Sequence, residues 1–314
     1  MSGVLVLSSS QTRAALDPER LLTAVSTALV AISRDEVSAP PRIAARAPAG
    51  VLGMMPAYVP GLGLAAKVIS VFAEPGLEGR STHRGIVAVF DEQDGRPLAV
   101  LDAQSITAVR TAAVATLSMR ALAGPHPERI AIVGTGVQAR AQAALLATID
   151  GTTAVVVGGR DQGRAEETAA CYPGAVADTI EAAVKGADVV FCCTGARQPV
   201  IQREWLAAGA HVSSVGGSAG PELDAATVGA GPVFVEWAGA AAAEPPAGAH
   251  ELQGLPPDQV VLLGAVLDGR HPGRRERSEL TVFKSTGHAA LDVAAASVVY
   301  DFARKHGTGS TVCV

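Results

Sequence analysis

The chain has 314 residues, 48% of them hydrophobic, with a formal net charge of −5 and a mean hydropathy of +0.29. This length exceeds one typical module of about 150 residues, so we expect two folded domains and exclude disorder. The negative charge argues against a nucleic-acid partner, and no apolar run approaches the roughly 20 residues of a membrane span. The four cysteines show neither a disulfide framework nor metal-ligand spacing, and without a signal-like leader we expect the cytoplasm.

The N-terminal part of the chain is predicted to be an α+β unit. Asp17 is a suitable N-cap, Pro18 suits the first helical position, and apolar residues then recur at helical spacing, which predicts a helix over about 18–33. A long helix rich in alanine is predicted over residues 104–122, where a Gly-Pro segment stops it. Between the two helices we expect short strands at residues 64–72, 86–91 and 97–101.

From residue 129 onward strands and helices alternate. The predicted strands are continuously apolar, as in a parallel sheet buried on both faces, and they lie at residues 130–133, 154–158, 189–193, 210–215 and 233–236. This pattern predicts a Rossmann-type, doubly wound parallel sheet over residues 123–288. Residues 238–249, rich in alanine, glycine and proline, are predicted to form a surface loop. A last helix over 289–305 is expected to return to the first domain, which then comprises residues 1–122 and 289–314.

A glycine-rich segment directly follows the first of these strands. It reads G-T-G-V-Q-A and opens a helix, the context in which G-x-G-x-x-G/A is a dinucleotide-binding fingerprint. Gly134 permits the tight turn, and Gly136 lets the backbone approach a pyrophosphate at the helix N-terminus. A glycine-rich turn without a ligand is the alternative. The candidate cofactor residues here are Gly134, Thr135, Gly136, Val137 and Gln138.

The end of the second strand bears on the choice between NAD and NADP. A carboxylate there would bind the ribose hydroxyl of NAD, but Arg160 comes first and Arg164 follows one helical turn later. A guanidinium can pair with the 2′-phosphate of NADP, so we favour NADP(H) over NAD(H). Asp161 leaves the alternative open, because it suits either the helix N-cap or a ribose acceptor.

Three cations are candidates for binding an anionic substrate. Lys67, one of only four lysines, has apolar neighbours on both sides, so an unpaired ammonium there would be costly. Arg110 lies in a helical stretch with no other charge, and Arg42 follows two prolines that hold it extended. The alternatives are an edge-strand lysine that reaches solvent and two solvated surface arginines.

The order of motifs resembles the ornithine cyclodeaminase/μ-crystallin family over nearly the whole chain. The segment T-A-V-R-T-A-A around Arg110 is the most specific of them. The other matching blocks are residues 54–57, the strand that carries Lys67, and residues 82–85, 134–139 and 283–287.

The resemblance implies an NAD(P)-dependent enzyme that acts on a small amino or imino acid. Family members are cyclodeaminases, alanine dehydrogenases and imino-acid reductases, built from a Rossmann domain and an α+β domain that binds substrate and forms a homodimer. The resemblance assigns Arg42, Lys67 and Arg110 to the substrate carboxylate, and it places Thr82 and Ser285 near cofactor or substrate. Thr194, after the strand of residues 189–193, joins the cofactor-binding candidates.

Two departures from the cyclodeaminating members favour a reductase. Ser218 stands where those members have an aspartate, and Gly53 replaces a glutamate before their Met-Pro segment. Ring closure with loss of ammonia needs a base, whereas a serine only hydrogen-bonds, so we place Ser218 among the catalytic candidates but expect imine reduction. The alternatives are a cyclodeaminase in which Glu222 or Asp224 replaces the absent acid, and a μ-crystallin-like protein that only binds the cofactor.

Overall fold

The computed structural model describes residues 3–73, 81–124, 126–149 and 153–313. These residues divide into two compact units: one comprises the chain up to Arg110 and from His288 onward, and the other runs from Thr111 to Gly287. The division therefore falls inside the long helix predicted at 104–122, twelve residues before the end of that helix. The two units are described separately below.

The first unit is mainly antiparallel β-structure. Its elements up to the division are β1 (Gly3–Val6), α1 (Ser9–Ala14), α2 (Pro18–Ser33), β2 (Ile43–Ala47), β3 (Gly50–Val59), β4 (Gly63–Ala73), β5 (Ser81–Phe90), β6 (Pro97–Asp102) and the first part of α3 (Ala103–Leu122). The predicted α2 is confirmed, with the Asp17 carboxylate accepting the backbone N–H of Arg20 at 2.9 Å. The strands β2 and β3 were not predicted from the sequence.

The second unit alternates strands and helices. After α3 come β7 (Arg129–Val133), α4 (Val137–Ile149), β8 (Ala154–Gly158), α5 (Gln162–Ala169), β9 (Val176–Asp178), α6 (Ile180–Val184), β10 (Val189–Cys192), β11 (His211–Ser214), α7 (Ala225–Val228), β12 (Val233–Val235), α8 (Gly239–Ala242), β13 (Val260–Leu262), α9 (Leu263–Leu267) and β14 (Thr281–Lys284). The chain then returns to the first unit as α10 (Ala289–His306) and β15 (Ser310–Cys313).

The sheet of the first unit has seven strands in the order β15-β1-β6-β5-β4-β3-β2. All neighbours are antiparallel except β1 and β6. Helix α10 packs on β3, β4 and β5 and against α2. One face of the central strands is therefore covered by a helix, and alternate residues of β4 point into that contact.

The sheet of the second unit has eight parallel strands in the order β13-β12-β14-β11-β10-β7-β8-β9. Apolar clusters cover both of its faces, which confirms the predicted doubly wound sheet. Strand order reverses at β7, so the carboxyl ends of β7, β8 and β10 open a crevice suited to a ligand.

The prediction of a surface loop over residues 238–249 holds only in part. These residues include α8, and Ala240, Ala241 and Ala249 are buried beside the sheet. Methyl side chains fit where larger ones would not, so the composition reflects close packing. Within the described part of the chain, no helix is both long and apolar enough to cross a membrane.

Candidate functional site

The turn between β7 and α4 has the geometry of a phosphate-binding loop. Gly134 has φ +123°, and a Cβ there would lie 2.6 Å from the carbonyl oxygen of Cys193, so only glycine fits. At Gly136 a Cβ would meet no atom within 4 Å, so this backbone faces open space that a pyrophosphate can fill. The loop therefore fits the dinucleotide that its sequence predicts.

A cavity of about 800 Å³ lies at this turn, large enough for a dinucleotide. Seven of the candidate cofactor residues line it, namely Gly134, Thr135, Gly136, Arg160, Asp161, Arg164 and Thr194. Residues 193–200, the segment after β10, also line the cavity, and sequence reasoning missed all of them except Thr194. The cavity thus joins the carboxyl ends of the three strands at the switch point.

The remaining cofactor candidates are placed differently. Val137 and Gln138 form the first turn of α4 and are not among the residues that line the cavity. Ser285 is buried and donates a hydrogen bond to Glu236 at 3.2 Å, as do the backbone N–H groups of Thr286 and Gly287 at 2.7 and 2.6 Å. Glu236, which the sequence did not single out, therefore holds the loop after β14. The side chain of Thr82 lies outside the described residues.

Asp161 is the N-cap of α5. Its Oδ1 accepts the backbone N–H of Arg164 at 2.9 Å, which is one of the two roles that the sequence left open. The guanidinium groups of Arg160 and Arg164 form no salt bridge with another described residue. Two unpaired cations on the wall of a cavity are suited to an anionic ligand.

In the first unit, Lys67 is neither exposed nor at a sheet edge. It lies in β4, between β3 and β5, and is 3% exposed on the face that α10 covers. Its ammonium is 2.8 Å from Oδ2 of Asp292. Burial lowers the pKa of Lys67, and the Arg110 and Arg42 guanidiniums lower it further against the opposing effect of Asp292. The alternative of an edge-strand lysine reaching solvent is wrong.

Arg110 shares the same carboxylate. It is 6% exposed, and its Nε donates to Oδ1 of Asp292 at 3.1 Å, so it is not a surface arginine. Burial alone would raise the pKa of Asp292, but Lys67 and Arg110 hold it below its ordinary value. Sequence reasoning missed Asp292, although a carboxylate among the apolar residues of the first turns of a helix is the same kind of signal that singled out Lys67.

Arg42 and His288 lie close to this cluster. Arg42 is half-buried and near enough to Lys67 and His288 to lower both of their pKa values. His288 is the N-cap of α10, one helical turn before Asp292, and its Nδ1 accepts the backbone N–H of Ala290 at 3.3 Å. Burial, more than its charged neighbours, lowers the pKa of His288 to about 4, so the imidazole is neutral near pH 7.

The structure also shows what the acids near Ser218 do. Glu222 is fully buried, and its two oxygens accept four hydrogen bonds from three residues, Thr194, Ser214 and Gly216, at 2.6 to 2.9 Å. Asp224 caps α7 through Thr227 at 2.8 Å. Both carboxylates are therefore occupied by structural contacts. Ser218 is exposed on the loop after β11 and does not line the cavity.

A second buried ion pair supports that loop. The Lys284 ammonium contacts Glu251 at 2.9 Å, the Ser214 hydroxyl at 2.8 Å and the Gly216 carbonyl at 2.9 Å. Because Lys284 is enclosed by these partners, it is a structural cation and does not add to the nucleotide cavity. Among the described residues, no group of three or more His, Cys, Asp or Glu side chains could hold a metal ion.

Residues 4–307 match the model of the ornithine cyclodeaminase/mu-crystallin family. This chain belongs to that family. It is 34% identical to ketimine reductase mu-crystallin of Mus musculus over 257 residues, 80% of each chain. It is 32% identical to a Delta(1)-pyrroline-2-carboxylate reductase of Bacillus thuringiensis over 281 residues, 82% of this chain and 83% of that one.

The fold of this family member also matches solved structures. The Delta(1)-pyrroline-2-carboxylate reductase of Thermococcus litoralis, in complex with NADH and L-proline, aligns with a TM-score of 0.88 and 26% identity. The alignment covers 98% of this chain and 100% of the other. The first of these relatives is a ketimine reductase, the other two are Delta(1)-pyrroline-2-carboxylate reductases, and the Thermococcus litoralis enzyme was solved with NADH and L-proline.

Proposed function

We propose that this chain reduces a small cyclic or open-chain α-imino acid to an L-amino acid with NADPH. The arrangement of Lys67, Arg110 and Asp292 carries the proposal. Two buried cations share one carboxylate, so the buried trio has one positive charge in excess. Leaving such a charge unpaired in a protein interior is costly, and the carboxylate of an imino acid is its natural complement.

The contacts within the trio leave hydrogen-bond donors for such a carboxylate. Asp292 occupies only Nε of Arg110, which leaves the two terminal nitrogens for a second anion. The ammonium of Lys67 likewise has further N–H donors beyond the one aimed at Asp292. Arg42 adds a third cation beside them. Charge-assisted hydrogen bonds from several directions fix both the position and the orientation of a carboxylate.

These residues have separate tasks in the reaction. A nicotinamide cofactor, when bound, would supply the hydride that reduces the C=N carbon. Lys67 and Arg110 hold the carboxylate and thereby fix the adjacent α-carbon, which is a contribution of proximity and orientation. The nitrogen needs no acid on the protein, because the protonated iminium already carries the proton that the amine product keeps. Helix α10 supplies Asp292, which pairs with both cations and holds them in place.

The state of the acids disfavours a cyclodeaminase. Glu222 and Asp224 are engaged in the contacts that hold their loops, and Asp292 is a buried carboxylate whose pKa is lowered by two cations. A carboxylate held this way is a weak base for a distal ammonium. General base catalysis is typically worth about 10²–10⁴-fold, so its loss would make ammonia release slow.

The proposal of NADPH, and not NADH, as the cofactor rests on Arg160 and Arg164. Both line the nucleotide cavity without a salt-bridge partner among the described residues, while Asp161 is engaged as the cap of α5. Cationic side chains at this end of the second strand favour a nucleotide with a 2′-phosphate.

The experiment follows absorbance of the reduced nicotinamide and release of ammonia in parallel. With Δ1-pyrroline-2-carboxylate or Δ1-piperideine-2-carboxylate, we expect one NADPH consumed per amino acid formed. With L-ornithine or L-lysine and NAD, we expect little ammonia. Rapid conversion of L-ornithine to proline with ammonia and no net change in cofactor would contradict the proposal. Cofactor binding without turnover of any imino acid would instead favour a protein that only binds.

A further inference from the structure

We propose that Arg197 is a phosphate-binding residue of the nucleotide cavity, in addition to Arg160 and Arg164. This inference rests on the proposed function, because it takes the ligand to be a nicotinamide dinucleotide. Arg197 follows β10, in a segment that neither the fingerprint nor the second strand includes. Its ligand would be a phosphate group of the nucleotide, either the pyrophosphate or the 2′-phosphate.

The charges of the cavity wall support this assignment. Arg160, Arg164 and Arg197 all line the cavity, and Asp161 is the one acid among the lining residues. Asp161 is engaged as the cap of α5, and the exposed guanidinium of Arg197 forms no salt bridge within the described ranges. The wall therefore has two positive charges in excess. A dinucleotide with a pyrophosphate and a 2′-phosphate has the negative charge to balance them.

The backbone that carries Arg197 is held at both ends. Glu222 accepts the backbone N–H of Thr194 at 2.6 Å and its hydroxyl at 2.7 Å, which anchors the start of the segment. At Gly220 a Cβ would lie 2.4 Å from the carbonyl oxygen of Arg197, so the two backbones pack closely. The main chain of the segment is thus ordered before any ligand binds, and this lowers the entropic cost of using Arg197.

Glu222 has a structural role in this arrangement. A fully buried carboxylate with four donors is a costly feature unless it holds something in place. Glu222 joins the end of β11, through Ser214 and Gly216, to the start of the Arg197 segment. It therefore acts as a positioning residue for that segment, and it does not line the nucleotide cavity.

The test measures the affinity of NADPH and NADH by fluorescence titration for wild type, Arg197→Ala and Arg140→Ala. Arg140 is the matched control, because it is exposed, pairs with Glu167 at 2.7 Å and does not line the cavity. We expect Arg197→Ala to weaken NADPH binding by at least about tenfold, as for the loss of a charge-assisted hydrogen bond, with no change in Arg140→Ala. If Arg197→Ala weakens NADH binding equally, Arg197 binds the pyrophosphate. If it weakens only NADPH binding, Arg197 binds the 2′-phosphate.

A second variant tests the positioning role. Glu222→Gln places an amide donor where four donors converge, so we expect weaker NADPH binding at a temperature where circular dichroism shows the variant folded. In the double variant with Arg197→Ala, the two losses should be less than additive, because both act through one segment. Unchanged NADPH and NADH affinities in Arg197→Ala would overturn the inference. A wild-type protein that binds neither nucleotide would instead contradict the proposed function.

Discussion

Asp292 determines the chemistry of the residues around it. It comes from α10, whereas Lys67 comes from β4 and Arg110 from α3, so one carboxylate joins three elements of the first unit. Removal of either cation leaves the remaining cation and Asp292 with no net charge. We therefore attribute the affinity for a substrate carboxylate to both cations together, and not to one of them.

The first prediction concerns these two cations. Lys67→Ala and Arg110→Ala should each lower kcat/KM for the imino acid by at least about tenfold, because each removes a charge-assisted contact to the carboxylate. Nucleotide affinity should stay unchanged, since neither residue lines the nucleotide cavity. Lys185→Ala is the control, because that lysine is exposed and pairs with Glu181 of the adjoining helix α6. Wild-type kinetics in either variant would remove that residue from the substrate site.

The second prediction concerns the choice of cofactor. Arg160→Ala should weaken NADPH binding by about 1.5–3 kcal/mol and leave NADH binding nearly unchanged, because only NADPH has the 2′-phosphate. Fluorescence titration of both nucleotides measures this difference. Equal affinities for the two nucleotides in wild type, or an unaltered preference in the variant, would instead assign Asp161 to the ribose.

At the scale of elements, His211 joins three parts of the second unit. It begins β11, and its ring bonds Ser118 of α3 at 3.0 Å and Thr281 of β14 at 2.9 Å. Burial, with a further effect of the nearby Arg274 guanidinium, lowers the pKa of His211 to about 3. In the unfolded chain the same group titrates near 6.5.

The third prediction is a pH dependence of stability. Below pH 6.5 the imidazole of His211 binds a proton in the unfolded chain but stays neutral in the folded protein. The contribution of His211 to stability, fully present above pH 6.5, is therefore lost as the pH falls toward 3. Between those values this one group should contribute a slope of about 1.4 kcal/mol per pH unit. The free energy of unfolding, measured with denaturant at several pH values, should depend less steeply on pH for His211→Asn than for wild type. The exposed His126 is the control, and His126→Asn should keep the wild-type slope; equal slopes in all three proteins would contradict the prediction.

At the scale of the whole molecule, the sheet of the first unit has an apolar exposed face. Ile43, Met54, Val68 and Ile86 lie in register across β2, β3, β4 and β5, and therefore point to the same side. Ile43 is 64% exposed, Met54 39% and Ile86 44%. Contiguous apolar surface of this kind is typical of an interaction site, and the homodimer implied by the family resemblance would cover it.

The fourth prediction tests that homodimer. Met54→Lys places a charge in the middle of the apolar row, so light scattering after size exclusion should show a shift from dimer toward monomer. Val176→Lys is the control, because Val176 is 56% exposed on β9 of the second unit and is not part of this row. A monomeric wild type, or a variant that remains dimeric, would mean that this face does not form the interface.

Local patterns in the sequence were sufficient for much of this fold. The cap and periodicity of α2, the apolar strands of the parallel sheet and the fingerprint after β7 each depend on residues a few positions apart, so neighbouring side chains determine them. The four edge strands β2, β9, β13 and β15 were missed, because none of their residues is buried and their pairing depends on strands from elsewhere in the chain.

The sequence by itself therefore determined the nucleotide-binding architecture and singled out Lys67 and Arg110 as candidate cations for an anionic substrate. Only the tertiary structure decided what those cations pair with, because Asp292 is 182 residues from Arg110 along the chain. It likewise showed that Glu222 is saturated by four donors and brought Arg197 to the nucleotide cavity. The physical reason is that charge pairing in an interior depends on which elements pack together, and no local pattern specifies that packing.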